Sequence, residues 1–108
     1  MNLQIPKRFK LFGRPFNVVY APDKFIENDA CAFASYRLDE IQLRPSTEAQ
    51  PRTEAQLFQS FMHELTHFVF YYAQAARNNK VAMYTDEDFI ELVSNLYHQA
   101  LSTFEYEN

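Results

Sequence analysis

The stretch from Gln59 to Tyr72 reads QSFMHELTHFVFYY. Leu57, Phe61, Leu65, Phe68 and Tyr72 recur at helical spacing through it, and Thr53 with Gln56 just upstream has the form of a capping box. Together they predict a helix over 53–76. Two histidines and a glutamate interrupt its apolar run. His63 and His67 are four residues apart, so both imidazoles stand on one face, one turn apart, about the separation that two ligands of a single zinc ion need. Glu64 lies about 100° around the helix from His63, placed to address a bound water without taking a coordination position.

A plainer reading makes His63 and His67 core histidines satisfied by hydrogen bonds, and Glu64 a partly exposed helix residue. With three histidines and nine glutamates in 108 residues, chance seldom spells HExxH. Burying two imidazoles and an acid among Phe61, Met62, Leu65, Phe68 and Val69 is also costly without a partner, and a metal ion provides one. Two imidazoles and a carboxylate suit Zn2+ best among divalent ions.

Two histidines alone make a weak zinc site, so a third protein ligand is expected. Downstream, after the loop ARNNKVAMY, Thr85 with Asp88 and a first turn filled with acids opens a second helix that runs to about Thr103 on Phe89, Val93, Leu96, Ala100 and Leu101. Its apolar arc covers Ile90, Leu92, Val93, Leu96, Tyr97, Ala100 and Leu101. Glu87, Glu91 and His98 are left close together on the other side, and each is a candidate third ligand. Glu87 borders the apolar arc, although an acid in the first turn of a helix is stabilised by the dipole without any metal. Glu91 stands four residues before Asn95, whose amide is suited to orient a ligand histidine. His98 would complete a three-histidine site but sits far along the helix.

Upstream the period is that of strands. RFKLFGRPFNVVY alternates on both sides of Gly13-Arg14-Pro15, which predicts a hairpin whose second arm, 16–20, carries Phe16, Val18 and Tyr20 on one face. APDKFIENDA is a turn-rich connection. CAFASYRLDEIQLR reads as strands over 31–37 and 40–44 folded at Leu38-Asp39, and PSTEAQP ends the strand region. The expected fold is a single α+β domain over 1–108, a small twisted and mainly antiparallel sheet carrying two long helices.

At 108 residues, with 47% apolar and 17% aromatic content, the chain supports a real but small core. A net charge of −4 argues against nucleic acid as the main partner, because phosphate binding needs clustered positive charge. Lys7, Arg8, Lys10 and Arg14 gather early and read as a solvated strand face. Cys31 is the only cysteine, which rules out an internal disulfide and a thiolate-rich zinc cluster; it reads as a small apolar strand residue. No window has the length of a signal peptide core or a membrane span. The expectation is a cytoplasmic protein with no membrane partner. FEYEN at the end reads as a frayed tail.

HELTH, the loop after its helix and the acidic helix that follows resemble the zincin metallopeptidases, specifically the minimal gluzincin-like proteins encoded by phages, akin to the immunity-region metallopeptidases. LFGRPFNVVY, YRLDEIQLR, MHELTHFVF and DEDFIELVSNLYHQ occupy the places of that group's successive elements, so the likeness spans nearly the whole chain. The resemblance implies that His63 and His67 are zinc ligands, that Glu64 is the catalytic base, and that Glu87 is favoured as third ligand. It implies a peptide or protein substrate, which would pair with an exposed strand at 31–37 or 40–44. The chain departs from the metzincins, because the sixth position after His67 is Ala73 rather than histidine. It lacks a clear counterpart of the residue that steadies the oxyanion in larger peptidases, for which Tyr71, Tyr72, Tyr84 and Tyr97 are candidates. That gap keeps open a second function, an inactive zincin-like scaffold that binds a host or phage partner.

Overall fold

The computed structural model describes residues 4–21, 31–76 and 83–106. Strands β1 (Arg8–Leu11), β2 (Arg14–Tyr20), β3 (Ala32–Ser35) and β4 (Glu40–Leu43) precede helices α1 (Glu54–Ala76) and α2 (Glu87–Ser102), with a single 3-10 turn over Met83–Thr85 between the helices. The fold is α+β, as expected. The strands order as β1-β2-β4-β3 in one sheet. β1 and β2 are antiparallel, as are β3 and β4, while the central pair β2 and β4 is parallel, with Val18 opposite Ile41. The connection predicted over 21–30 lies, apart from Ala21, outside the described residues.

The first hairpin turns one step earlier than its sequence suggests. Leu11 pairs with Arg14, so the loop is Phe12-Gly13, and both residues have positive φ, 53° and 76°. That is the geometry of a primed two-residue turn, whose twist matches the flanking strands. Arg14 and Pro15, expected in the loop, therefore belong to β2. Proline is tolerated there because the Lys7–Val18 pair is hydrogen-bonded, with Val18 N donating to Lys7 O at 2.9 Å. Counting back along the ladder leaves Lys10–Pro15 a non-hydrogen-bonded pair, where no amide is needed. The second hairpin has a four-residue turn over 36–39 rather than a fold at Leu38-Asp39 alone, which ends β3 at Ser35, while β4 starts at Glu40 as expected and stops one residue short of 44.

The core lies between one face of the sheet and α1. Phe16, Ile41, Leu43 and Phe68 are fully buried, and Val18, Phe58, Phe61 and Met62 complete the cluster. The Phe16 ring stacks on Phe9 at 5.1 Å and meets the edges of Phe68 at 4.9 Å and Tyr72 at 5.6 Å. Tyr20, expected on the same buried face, is half exposed at the end of β2. Lys7, Arg8, Lys10 and Arg14 are exposed, and Arg14 pairs with Asp39 at 2.7 Å.

The capping box at the start of α1 is formed: Thr53 N donates to Gln56 Oε1 at 2.9 Å and Gln56 N to Thr53 Oγ1 at 3.1 Å. α2 is capped by Asp86 rather than Thr85, its carboxylate accepting from Phe89 N at 3.1 Å. α2 docks by only part of its expected apolar arc, with Ile90 buried and Leu101 packed against the core. Ile90 and Ser94 are its buried residues, while Leu92, Leu96 and Tyr97 are 57%, 54% and 59% exposed. The reason is what α1 offers: Gln59, His63 and His67 line that side, and a polar face takes a polar partner. Residues 104–106 are exposed and without regular structure, in keeping with a tail.

Candidate metal centre

His63 and His67 point off the same face of α1, and α2 begins directly opposite. The capping by Asp86 fixes where that helix starts and makes Glu87 its first residue. Glu87 reaches back to both imidazoles: Oε2 lies 3.0 Å from His63 Nε2, and Oε1 lies 3.0 Å from His67 Nε2. The two Nε2 atoms are 3.3 Å apart. His63, His67 and Glu87 thus form a group able to hold a metal ion.

The other ring nitrogens are engaged from behind. His67 Nδ1 donates to the carbonyl oxygen of Tyr84 at 2.6 Å. His63 Nδ1 lies 2.9 Å from Glu91 Oε2, one helical turn beyond Glu87. A carbonyl and a carboxylate only accept, so both Nδ1 atoms carry the hydrogen, and in the neutral rings both Nε2 atoms present lone pairs. Two lone pairs and a carboxylate then converge on one point. Three electron-rich groups at this separation attract only if a proton or a metal ion sits among them. Ligand nitrogens and oxygens at about 2.0–2.1 Å from a tetrahedral zinc stand roughly 3.3–3.4 Å from one another, close to the spacing here. The donor set fits a divalent metal, with Glu91 and the Tyr84 carbonyl in the outer role that sets tautomer and ring orientation.

Glu64 is 8% exposed, and its Oε2 is buried without a hydrogen-bond partner. Burial raises its pKa to about 7, with Glu87 adding to the rise and His63 opposing it. An acid so placed exchanges protons near neutrality.

Two openings meet here. One, of about 270 Å³, is lined by Tyr36, Glu64, His67 and Tyr84; the other, of about 490 Å³, by His63, Glu64, Glu87 and Glu91. Phe33 borders both, because β3 is an outer strand of the sheet and runs along the site. β4 lies between β2 and β3, so 40–44 is closed to an added strand and only β3 remains of the two expected positions.

Among the candidate third ligands, Glu87 meets both histidines and Glu91 meets the far side of His63. His98 does not join them: its Nδ1 bonds to Gln59, whose amide also bonds Asn95. Asn95, expected to orient a ligand histidine, serves the packing of the two helices, and Glu91 does the orienting. Of the candidate tyrosines, Tyr72 is tied to Asp39 at 2.5 Å and Tyr97 faces outward. Tyr84 lines the smaller opening, and Tyr71 packs on Tyr36 and Tyr84.

Tyr36 was not anticipated. It lies just after β3, packs tilted against Tyr71 at 4.6 Å and edge-to-face with Tyr84 at 5.6 Å, and lines the opening with Glu64 and His67. Burial, then the charges of Glu64, Tyr84 and Glu87, push its phenol well above the ordinary tyrosine value. It stays a hydrogen-bond donor at any working pH. No local pattern links it to Glu64, 28 positions away; only the turn that folds 36–39 brings it in. Cys31, expected as a small apolar strand residue, lies just before β3 and is exposed beside the larger opening.

No protein-family model, curated protein or solved structure matches the chain.

Proposed function

We propose that the protein is a zinc-dependent metallopeptidase. The observation that carries this reading is the convergence of His63 Nε2, His67 Nε2 and the Glu87 carboxylate, all held from behind, beside a buried carboxyl with an unpartnered oxygen. When bound, a zinc ion supplies Lewis acidity, lowering the pKa of water toward 7 and polarising a carbonyl. His63, His67 and Glu87 would hold it, and Glu91, on the far side of His63, would keep that ring turned toward it. Glu64 takes the proton of the attacking water and gives it to the leaving amine. The Tyr36 hydroxyl donates to the oxygen on which charge develops. The substrate peptide lies against the outer edge of β3, its backbone continuing the sheet past Glu64. Its compartment is the cytoplasm on this reading, and no helix among the described residues is long and apolar enough to cross a membrane.

The test combines elemental analysis with a peptide-library cleavage assay. Purified protein is expected to carry one zinc per chain, lost in His63→Ala and Glu87→Ala. Glu64→Gln is expected to keep the zinc and lose cleavage by about a hundredfold or more. Cleavage by Glu64→Gln at the parent rate would remove the mechanism.

A second reading has one observation in its favour. Leu92, Leu96 and Tyr97 form an exposed apolar face on α2, which suits a scaffold that works by binding. Full zinc occupancy with no cleavage of any library member, together with lost function on Leu96→Glu, would select it.

A further inference from the structure

Next to the larger opening is a third groove, also of about 490 Å³, lined by Arg44, Arg52, Gln56, Gln59 and His98. It shares Cys31, Gln59 and Ser60 with the larger opening, so the two are continuous. Its floor is the first turns of α1, and its outer wall is the start of β3. We propose that this groove reads a carboxylate on the peptide, so that preferred substrates carry an acidic side chain or a free C-terminus two to three residues from the bond that is cut. The proposal rests on the peptidase reading and extends it.

Arg52 is held in place by acceptors that carry no charge. Its Nη1 donates to the carbonyls of Arg44 at 2.9 Å and Cys31 at 3.4 Å, and its Nη2 to the carbonyl of Gln56 at 3.2 Å and to Ser60 Oγ at 2.5 Å. Arg44 has a buried Nε with no hydrogen-bond partner. Among the described residues neither guanidinium is paired with a carboxylate. Two cations therefore share one groove in a chain whose net charge is −4, while Glu64, Glu87 and Glu91 line the openings of the metal centre and Glu54, in the first turn of α1, pairs with neither guanidinium. Burial pushes the Arg52 guanidinium below its ordinary pKa and the charge of Arg44 acts in the same direction, against an opposing contribution from Cys31. An incoming carboxylate offsets the charge of both and pairs with the Arg44 guanidinium, whose geometry matches it, while Arg52, its Nη hydrogens all donated to protein acceptors, contributes charge rather than a fork. The amino end of α1 adds partial positive charge to the same groove.

The spacing follows from the elements. Phe33 borders the metal centre and Cys31 the arginine groove, a separation of two strand residues, about 7 Å. Along α1, Ser60 precedes His63 by three residues, about 5 Å of rise. A peptide extended along β3 that places one carbonyl at the metal centre therefore brings a group two to three residues away over the guanidinium pair.

The test is equilibrium binding of peptide hydroxamates to the zinc-loaded full chain. The hydroxamate is placed at the amino or the carboxyl end so that both chain directions are sampled. Members differ only as Asp against Asn at one position, and as free acid against amide at the C-terminus, which separates a side-chain source from a terminal one. The acid member is expected to bind about tenfold or more tightly at one position two to three residues from the hydroxamate. That advantage should shrink to near unity in 0.5 M salt, which needs no variant, and in Arg44→Gln and Arg52→Gln, while Arg44→Lys retains part of it. Equal binding of acid and amide members at every position, with zinc bound, would overturn the proposal and leave the metal reading standing. Hydroxamates that bind no better than plain peptides would count against the metal reading, and the acid-to-amide ratio of those plain peptides would still decide the groove. If no peptide binds at all, both fall.

Discussion

The face of α1 turned toward the sheet and the face turned toward α2 are built from opposite chemistry. On the first, Phe58, Phe61, Met62 and Phe68 close over Phe16, Val18, Ile41 and Leu43, a dry contact held by area and ring packing. On the second, Gln59, His63 and His67 meet Asn95, His98, Glu91 and Glu87, with Ile90 the large buried apolar residue of α2. Dry packing is indifferent to what is dissolved in the buffer. A polar interface whose His63, His67 and Glu87 could hold a metal ion is not, on the function proposed above. The comparison assigns the fold to one side of α1 and the ligand-dependent part to the other.

Phe68→Ala is the substitution expected to have the largest effect. Removing a fully buried ring from the dry side should cost about 3–5 kcal/mol, much of the stability of a domain this size. The same assay on Leu96→Gln, on the outer face of α2, should register within about 0.5 kcal/mol. Urea denaturation of both variants in the presence of a chelator checks the pair. A large cost at Leu96 would mean that the exposed face of α2 is covered in solution and that the two sides of α1 do not carry the fold alone.

Zinc should stabilise the parent by about 2–3 kcal/mol when present at roughly a hundred times its dissociation constant. The gain should vanish in Glu87→Ala. Hydrogen exchange should localise it, with amides of α2 slowed more than those of β2 and β4, since α2 reaches the rest of the molecule through the polar side. Uniform protection across helix and sheet would erase the distinction between the two faces.

These experiments divide along the line that sequence reading also met. The HELTH spacing, the Thr53–Gln56 capping box and the strand alternation around Phe16 and Val18 are local patterns, and each is present in the structure. Which face of α2 docks is not local. Of its apolar arc Ile90 and Leu101 pack, with Ser94 and Asn95 beside them, while Leu92, Leu96 and Tyr97 stay exposed, because burial is decided by the partner surface. The role of Glu91 was hidden for the same reason: whether an acid at that position orients a histidine or ligates a metal depends on a crossing of two helices. Tyr36 reaches the centre through a hairpin turn. The Phe12-Gly13 turn was misplaced because Phe12 occupies a left-handed position that a β-turn more often gives to asparagine or glycine.

Smaller than the losses at Phe68 and at the zinc ligands is the one expected at the link between the two regimes, where the far end of α1 is tied to the sheet. Asp39 accepts from Tyr72 at 2.5 Å and from Arg14 at 2.7 Å. Burial acts to raise the Asp39 pKa, but the hydrogen bonds from Tyr72 and Arg14 and the charge of Arg14 outweigh it and leave it below the ordinary carboxylate value. Stability from this group is therefore present above the unfolded value, near pH 4, and is lost as pH falls through the depressed folded one. Tyr72 moves oppositely, pushed up to about 12 by burial and by Asp39, against Arg14. Its contribution is complete below the unfolded value near 10 and is lost between pH 10 and about 12. Tyr72→Phe should cost about 1 kcal/mol at neutral pH. It should also flatten both windows together in thermal melts taken across the pH range. Zinc affinity should be unchanged, since the hydroxyl bonds on the sheet side of α1. A shift in zinc affinity on Tyr72→Phe would show that the dry and polar faces communicate along the helix, and the separation drawn between them would then have to be given up.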